Sequence, residues 1–553
     1  MNTLHYPHWP QGLPYQLIAP ATSVYQNLHI SALRYPDKPA LIFYDSVLTY
    51  RQLHAEVVAL AGYLQHACGV KRGDRVLLNM QNCMQFVISY YAILRADAMV
   101  VPVNPMLMSD ELTHYVRDSG AKTAIVAQEV LPRFSELLNQ SDLQHIIVST
   151  YSDYLLNDTS LNVPEFVKAP VDVPALDGMT SWKKALATTM TPGEHVAGPD
   201  DLACMPYTSG TTGHPKGCVH THSTVMFNIA ASPVWTGVGV PNQVTLAVLP
   251  FFHVTGMQSV MNVTLYCGGT LVILPRWDRD AAGQLITRYG VTNWTLVPSM
   301  MIDFLSNPRL EEYDISRLAR VSGGGAAMPA AIAQKLKELT GQVYMEGYGL
   351  SETMAPSHVN PPHRMKQQCL GIPLFNVDAR VVDPGTGKEV AQGEQGEIWI
   401  HGPQVFKGYW NDPKKTAEAF AELDGKQFFR SGDLGYIDDE GFFFFTDRLK
   451  RMINASGFKV WPAEVESMMY QHPDILDCCV IASRDPYRGE TVKAVIVKKI
   501  NSTVNAEDII FWANQKMAAY KVPKMIDFVE ALPKSGTGKV MWRALQEQEF
   551  SKK

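Results

Sequence analysis

Between Pro36 and about Thr446, short apolar runs alternate with longer stretches of helical character, and this alternation constrains the fold more than any other feature. Arg75 to Met80 reads as a strand, Met84 to Arg95 as a helix, and Met99 to Val103 as the next strand. Ala124 to Val126 and Ile146 to Val148 continue the series. Strands alternating with helices imply parallel sheets in an α/β domain. The 553 residues are too many for one compact core, so several units are expected. The stretch Asp153 to Asp200, rich in Pro, Asp and Thr, is expected to run over the surface.

The character changes after Gln395. Glu397 to Ile400, Tyr436-Ile437 and Phe442 to Phe445 read as antiparallel strands, with a turn at Asp438 to Gly441. A polar junction, Asp447 to Arg451, precedes a smaller α+β unit. There Ala463 to Tyr470 predicts a helix, Asp477 to Ile481 and Val492 to Val497 predict strands, and Asn505 with Asp508 predicts a helix start. The expected domains are 1–449 and 450–553.

Net charge is −6, from 48 basic and 54 acidic residues, which argues against a nucleic-acid partner. The eight cysteines are scattered with no C-x-x-C pair; reduced thiols in the cytoplasm fit better than a zinc site or a disulfide framework. Met1 to Pro20 has no signal-peptide pattern. Arg95 and Asp97 interrupt the most apolar window, Phe86 to Val103, so it is read as a buried helix running into a strand rather than a membrane span. The last residues are not a peroxisomal S-K-L signal.

The strongest chemical signal is Tyr207-Thr208-Ser209-Gly210-Thr211-Thr212-Gly213-His214-Pro215-Lys216-Gly217. Glycines let backbone N–H groups approach phosphate oxygens, hydroxyls add donors, and Lys216 adds charge. The spacing is not that of a Walker A loop, and the bland alternative is a flexible turn-rich surface loop. This segment resembles the signature of the adenylate-forming superfamily: acyl-CoA synthetases, luciferases and peptide-synthetase adenylation domains. Six more segments match in the family's order. Pro250 to Gly256 resembles its aromatic substrate segment, Ser322 to Ala326 its adenine-side glycine strand, and Gly347 to Thr353 its nucleotide and magnesium motif. Ser431 to Gly435 resembles its ribose-binding aspartate motif, Asp447 to Lys450 its hinge, and Pro533 to Lys539 its C-terminal lysine loop.

The resemblance implies a role for each residue. Thr208, Ser209, Gly210, Thr211, Thr212, Gly213 and Lys216 would hold ATP phosphates. Gly324, Gly325, Ala326, Gly347, Tyr348 and Gly349 would accommodate adenine, and Ser351 would donate to the α-phosphate, where many relatives carry Thr. Glu352, with Thr208, would hold Mg2+ bridging phosphates. Asp433 and Arg448 would meet the ribose hydroxyls. Lys539 is the leading catalytic residue, a mobile cation for the reacting phosphorus and carboxylate; His253 and Glu352 complete the catalytic set. Lys450 would be the hinge, and Gly457, Phe458 and Lys459 would border the coenzyme A tunnel. Phe227, Trp235, His253, Val254 and Met257 would line the acyl pocket. Met257 stands where some fatty acyl synthetases carry a gating Trp, which puts that gate in doubt here.

The fold so implied is α/β: a large N-terminal domain of stacked sheets, a small antiparallel barrel-like subdomain, and a small mobile α+β C-terminal domain. The segments around Ser456 to Glu466 and Tyr520 to Lys524 look most like bacterial medium- and long-chain fatty acid–CoA ligases. The implied reaction uses ATP, Mg2+ and coenzyme A as small-molecule partners. Peripheral membrane contact and a homodimer stay open. So do ligases for other apolar or aromatic acids and a stand-alone enzyme loading a carrier protein in trans. Ser181-Trp182-Lys183-Lys184 matches a serine-acylase S-x-x-K pattern, but without its S-D-N companion.

Overall fold

The computed structural model describes residues 3–208, 215–237, 240–455, 458–485, 489–535 and 540–551. Ser209 to Gly213, Gly457, Lys539 and the side chains of Phe458 and Lys459 lie outside the described residues. The chain divides into two compact units: 3–378 with 400–429, and 379–399 with 430–553.

Two large sheets organise the first unit. The seven-stranded sheet runs in the order His220–Thr221, Leu202–Cys204, Met99–Pro102, Arg75–Asn79, Thr123–Ala127, His145–Ser149, Met179–Ser181, parallel except at its first pair. Val76, Leu77 and Leu78 are wholly buried, as expected of a strand covered on both faces. The nine-stranded sheet has a parallel centre, in which Pro39–Phe43, Thr270–Ile273, Val244–Ala247, Asn293–Leu296, Arg320–Gly324 and Met345–Leu350 lie side by side. The helix Met84–Arg95, buried from Met84 through Leu94, touches strands of both sheets. A helix without a polar face is a core helix. Its two tyrosines stay satisfied through Asn262, which donates to Tyr90 at 3.0 Å and accepts from Tyr91 at 2.9 Å.

The segment 153–200 is not confined to the surface. Met179–Ser181 extends the seven-stranded sheet, and the helix Trp182–Ala187 buries Trp182, whose indole N–H donates to the Tyr154 hydroxyl at 3.0 Å. One large aromatic residue outweighs the polar composition around it. Lys184, of the S-x-x-K pattern, is exposed on this short helix.

In the second unit, 433–437 pairs antiparallel with Phe443–Arg448. The turn between them forms where the sequence places it, with Asp438 Oδ1 accepting from the N–H groups of Glu440 and Phe442. After the short turn Leu449–Arg451 comes a five-stranded sheet built on the long hairpin Ile475–Asp485/Gly489–Lys498, with Met525–Phe528 parallel to its second strand. Asn505 caps the helix Ala506–Asn514: its side chain accepts from the Asp508 N–H at 2.9 Å while Asp508 reaches back. Among the described residues, no helix is long and apolar enough to cross a membrane.

Candidate active site

Tyr207–Thr208 and Lys216–Gly217 pair antiparallel, with Thr208 opposite Lys216. The glycine-rich loop therefore starts and ends at one place, with a hydroxyl on one foot and an ammonium on the other. Lys216 Nζ lies 4.0 Å from the centre of the Tyr409 ring, and the Tyr409 hydroxyl donates to Glu352 Oε1 at 2.9 Å. Glu352 is nearly buried, and its carbonyl accepts from the Phe406 N–H at 2.8 Å. His220 Nε2 lies 2.8 Å from the Ser351 carbonyl. A carbonyl only accepts, so this His carries its proton on Nε2; burial pulls its pKa down to about 4 and keeps the ring neutral.

Two glycine motifs on consecutive strands meet side by side in the nine-stranded sheet. Arg320–Gly324 runs parallel to Met345–Leu350 with Gly324 opposite Gly347. A Cβ at Gly324 would stand 2.3 Å from the Gly347 carbonyl oxygen, and one at Gly349 would stand 2.1 Å from the Ala355 carbonyl oxygen. Only glycine permits this approach. The buried Glu346 fastens the turn that follows: Oε1 accepts from the Met328 N–H at 2.8 Å and Oε2 from the Cys369 N–H at 3.0 Å. Burial raises its pKa, against the lowering by these N–H groups. Tyr348, half-buried, lies 5.7 Å from the His358 ring. Ala326 is exposed after Gly325, which has φ +83°.

In the second unit, Asp433 and Arg448 face each other across two strands, and Arg448 Nε donates to Asp433 Oδ1 at 3.1 Å. Asp433 is buried, whereas the Arg448 side chain is half exposed. Asp447, fully buried, accepts from the Ala463 N–H at 2.7 Å at the start of the helix Pro462–Met469. Arg451, beside Lys450, holds both Glu466 oxygens and donates to the Val480 carbonyl at 3.1 Å.

The Pro250 to Gly256 segment is pinned from a distance. Asn82 Oδ1 accepts from the Phe251 N–H at 2.7 Å, and its amide donates to the Leu249 carbonyl at 2.9 Å. His253 is half-buried; its Nδ1 accepts from the Thr255 N–H at 3.4 Å. Phe227, Val254 and Met257 are buried, with Met257 Sδ 3.7 Å from Cys204 Sγ. Trp235 is buried in a different company: it packs edge-on against Trp9 and Phe375, and its indole N–H donates to the Asn360 carbonyl at 3.2 Å.

The family model described as "AMP-binding enzyme" matches residues 28–410, and that of the "AMP-binding enzyme C-terminal domain" matches 464–539. The chain belongs to this family. Its activity is that of an AMP-forming acid–thiol ligase, an acyl-CoA synthetase. It is similar to the long-chain-fatty-acid–CoA ligase of Bacillus subtilis (strain 168), with 35% identity over 98% of this chain and 97% of that one. It is also similar to 4-coumarate–CoA ligase 2 of Oryza sativa subsp. japonica, with 31% identity over 93% and 90%. Among solved structures, ATP-bound MatB from Rhodopseudomonas palustris matches with a TM-score of 0.83 at 28% identity, covering 96% of this chain and 99% of that one.

At the end of the family's C-terminal segment, Lys534 pairs antiparallel with Val540 just beyond it, and the Met541 N–H donates to the Pro533 carbonyl at 2.8 Å. Lys534 itself is ion-paired with Asp477 at 2.9 Å. Among the described residues no group of three or more His, Cys, Asp or Glu side chains forms a metal cage. A single nearly buried carboxylate beside a phosphate-type loop is nonetheless the donor set that suits Mg2+, which takes few protein ligands and keeps phosphates and water. Sequence reasoning missed Asn82, Glu346, Tyr409 and His220. The run Asn79-Met80-Gln81-Asn82, amides between a buried strand and a buried helix, was the available clue to the first.

Proposed function

We propose that this ligase activates a medium- or long-chain fatty acid with ATP and Mg2+, releasing pyrophosphate, and transfers the acyl group to coenzyme A with release of AMP. The acid's carboxylate oxygen attacks the α-phosphorus and pyrophosphate leaves; the coenzyme A sulfur then attacks the acyl carbonyl and AMP leaves. The observation that supports the nucleotide half is the contact from Lys216 through Tyr409 to Glu352, which gathers a cation and a carboxylate at the foot of the glycine-rich loop. Mg2+, when bound, neutralises phosphate charge where the bond to pyrophosphate breaks. Glu352 with Thr208 would hold it. Lys216 offsets phosphate charge, Gly324 and Gly347 leave room for the purine, and Asp433 and Arg448 take the ribose hydroxyls as acceptor and donor.

The acid class is supported by the 35% identity to a fatty-acid ligase, by the buried apolar Phe227, Val254 and Met257, and by the absence of Lys or Arg from 225 to 239. Similarity to 4-coumarate ligases at 31% keeps an aromatic acid as the second reading. AMP release that depends on coenzyme A, measured with acids from acetate to oleate and with 4-coumarate, decides between them. Each buried methylene is worth roughly 0.8 kcal/mol, so kcat/KM is expected to climb about fourfold per CH2 until the pocket is full. Equal or better turnover of acetate or coumarate overturns the proposal.

Lys539 and the Gly457 loop would serve the two half-reactions in turn, with Lys450 as the pivot between domains 1–449 and 450–553. Lys539→Ala is expected to abolish pyrophosphate exchange yet still convert supplied acyl-adenylate; Gly457→Leu is expected to do the reverse. Equal damage to both halves in both variants refutes alternation.

A further inference from the structure

Tyr409 belongs to none of the segments assigned a role above, yet one side chain touches two of them. Its ring face lies 4.0 Å from the Lys216 ammonium, and its hydroxyl is 2.9 Å from Glu352 Oε1. An aromatic face attracts a cation, and a hydroxyl donated to a carboxylate is a charge-assisted bond that fixes the carboxylate's rotation. The tyrosine is itself held firmly. Its N–H donates to Thr416 Oγ1 at 2.9 Å, and Thr416 Oγ1 donates on to the Asp412 carbonyl at 2.8 Å. Residues 407–410 run beside 217–219: the Lys407 N–H donates to the Val219 carbonyl, the Val219 N–H to the Gly408 carbonyl and the Trp410 N–H to the Gly217 carbonyl, at 2.8–3.0 Å. Phe406 closes the near side with its ring 4.9 Å away, edge to face.

We infer that Tyr409 is a positioning residue for adenylation: its hydroxyl orients Glu352 toward a divalent cation, and its ring orients Lys216 toward the phosphates. This rests on the proposed roles of Glu352 and Lys216. The hydroxyl and the ring act on different partners, so two substitutions separate them. Tyr409→Phe keeps the ring and removes the donor; Tyr409→Leu removes both.

The test is a thermal-shift titration of the whole protein, first with MgCl2 at saturating ATP, then with ATP in EDTA. Removing a hydrogen bond that orients a metal-binding carboxylate costs about 10–100-fold in metal affinity. Tyr409→Phe is therefore expected to raise the Mg2+ half-point by that factor and to leave metal-free ATP binding within twofold of wild type. Tyr409→Leu is expected to weaken metal-free ATP binding as well. In a Glu352→Gln background, Tyr409→Phe is expected to add no further Mg2+ shift, while Tyr409→Leu still weakens ATP. A Mg2+ half-point for Tyr409→Phe within twofold of wild type, or an undiminished shift in the Glu352→Gln background, overturns the inference. If Glu352→Gln alone leaves the Mg2+ half-point unmoved, the assignment of the metal to Glu352 fails first, a result distinct from a failure of Tyr409.

Discussion

Gly324→Ala is the sharpest test of how the nucleotide site is built. The added methyl would stand 2.3 Å from the Gly347 carbonyl oxygen, whereas ordinary contact begins at 3.4 Å. The obstacle is backbone, not the tip of a side chain that swings away. Gly324 and Gly347 are paired neighbours in a parallel sheet, so relief requires moving one strand by about 1 Å where neighbouring strands sit about 4.8 Å apart. Overpacking of this kind costs roughly 1–3 kcal/mol of stability. The same strands carry the Gly347 to Thr353 motif, and a displacement near 1 Å at a reacting site lowers rate by about 10²-fold. ATP–pyrophosphate exchange is expected to fall by that factor, with a raised KM for ATP and a lower unfolding midpoint. Gly193→Ala is the control: its nearest neighbour would be Gln65 Oε1 at 3.8 Å, and it is expected to behave as wild type. A Gly324→Ala enzyme with native stability and native exchange would refute the argument that close approach requires glycine there.

Two further outcomes follow from buried charge. Lys493 is almost wholly buried between Glu549 and Asp527, each at 2.7 Å, and Ser483 also donates to Glu549 at 2.7 Å. Asp527 is 43% exposed and adds little, so Lys493→Ala acts mainly by stranding Glu549 and is expected to cost about 3–5 kcal/mol in the urea unfolding of the C-terminal region. Lys493→Met with Glu549→Leu is expected to restore most of it, and a double variant weaker than the single one would contradict this. Burial lowers the pKa of His5, His54, His220 and His222 to about 4 and that of His358 to about 3, from 6.5. Between those values the unfolded chain binds more protons than the folded one, so stability falls as pH drops from about 6.5 toward 4. The melting temperature is expected to decline over that window and to decline less in His222→Gln; a flat profile would refute it.

Local periods made several elements legible. The helix over Met84–Arg95 has the bounds read from its apolar run, and Asn505 caps the helix that its spacing with Asp508 predicts. The motifs also drew attention to Gly324, Gly347, Asp433 and Arg448, which pair as Gly324 with Gly347 and Asp433 with Arg448. What stayed hidden has no local signature. Asn82 reaches Phe251 and Tyr409 reaches Glu352 across long stretches of chain, and single polar contacts of that kind leave no period in a sequence. Trp235 shows the same limit: its apolar character suits a buried position, but composition cannot say that its ring neighbours are Trp9 and Phe375.

The pairing of Pro39–Phe43 with Thr270–Ile273 has a consequence for biogenesis. Leu41 pairs at once with Leu48 across the hairpin to Ser46–Thr49, but on its other side it lies opposite Leu271, so that edge waits for a partner made about 230 residues later. At roughly 5–20 residues per second, that is on the order of 10–50 s. Throughout that interval one edge of a strand with four buried positions stays uncovered, and from its own synthesis onward the helix Met84–Arg95 lacks most of the nine-stranded sheet. Unpaired apolar edges of this kind seed aggregation. Slower initiation, lower temperature or abundant chaperone should therefore raise the soluble yield of this chain more than any stabilisation of its finished state.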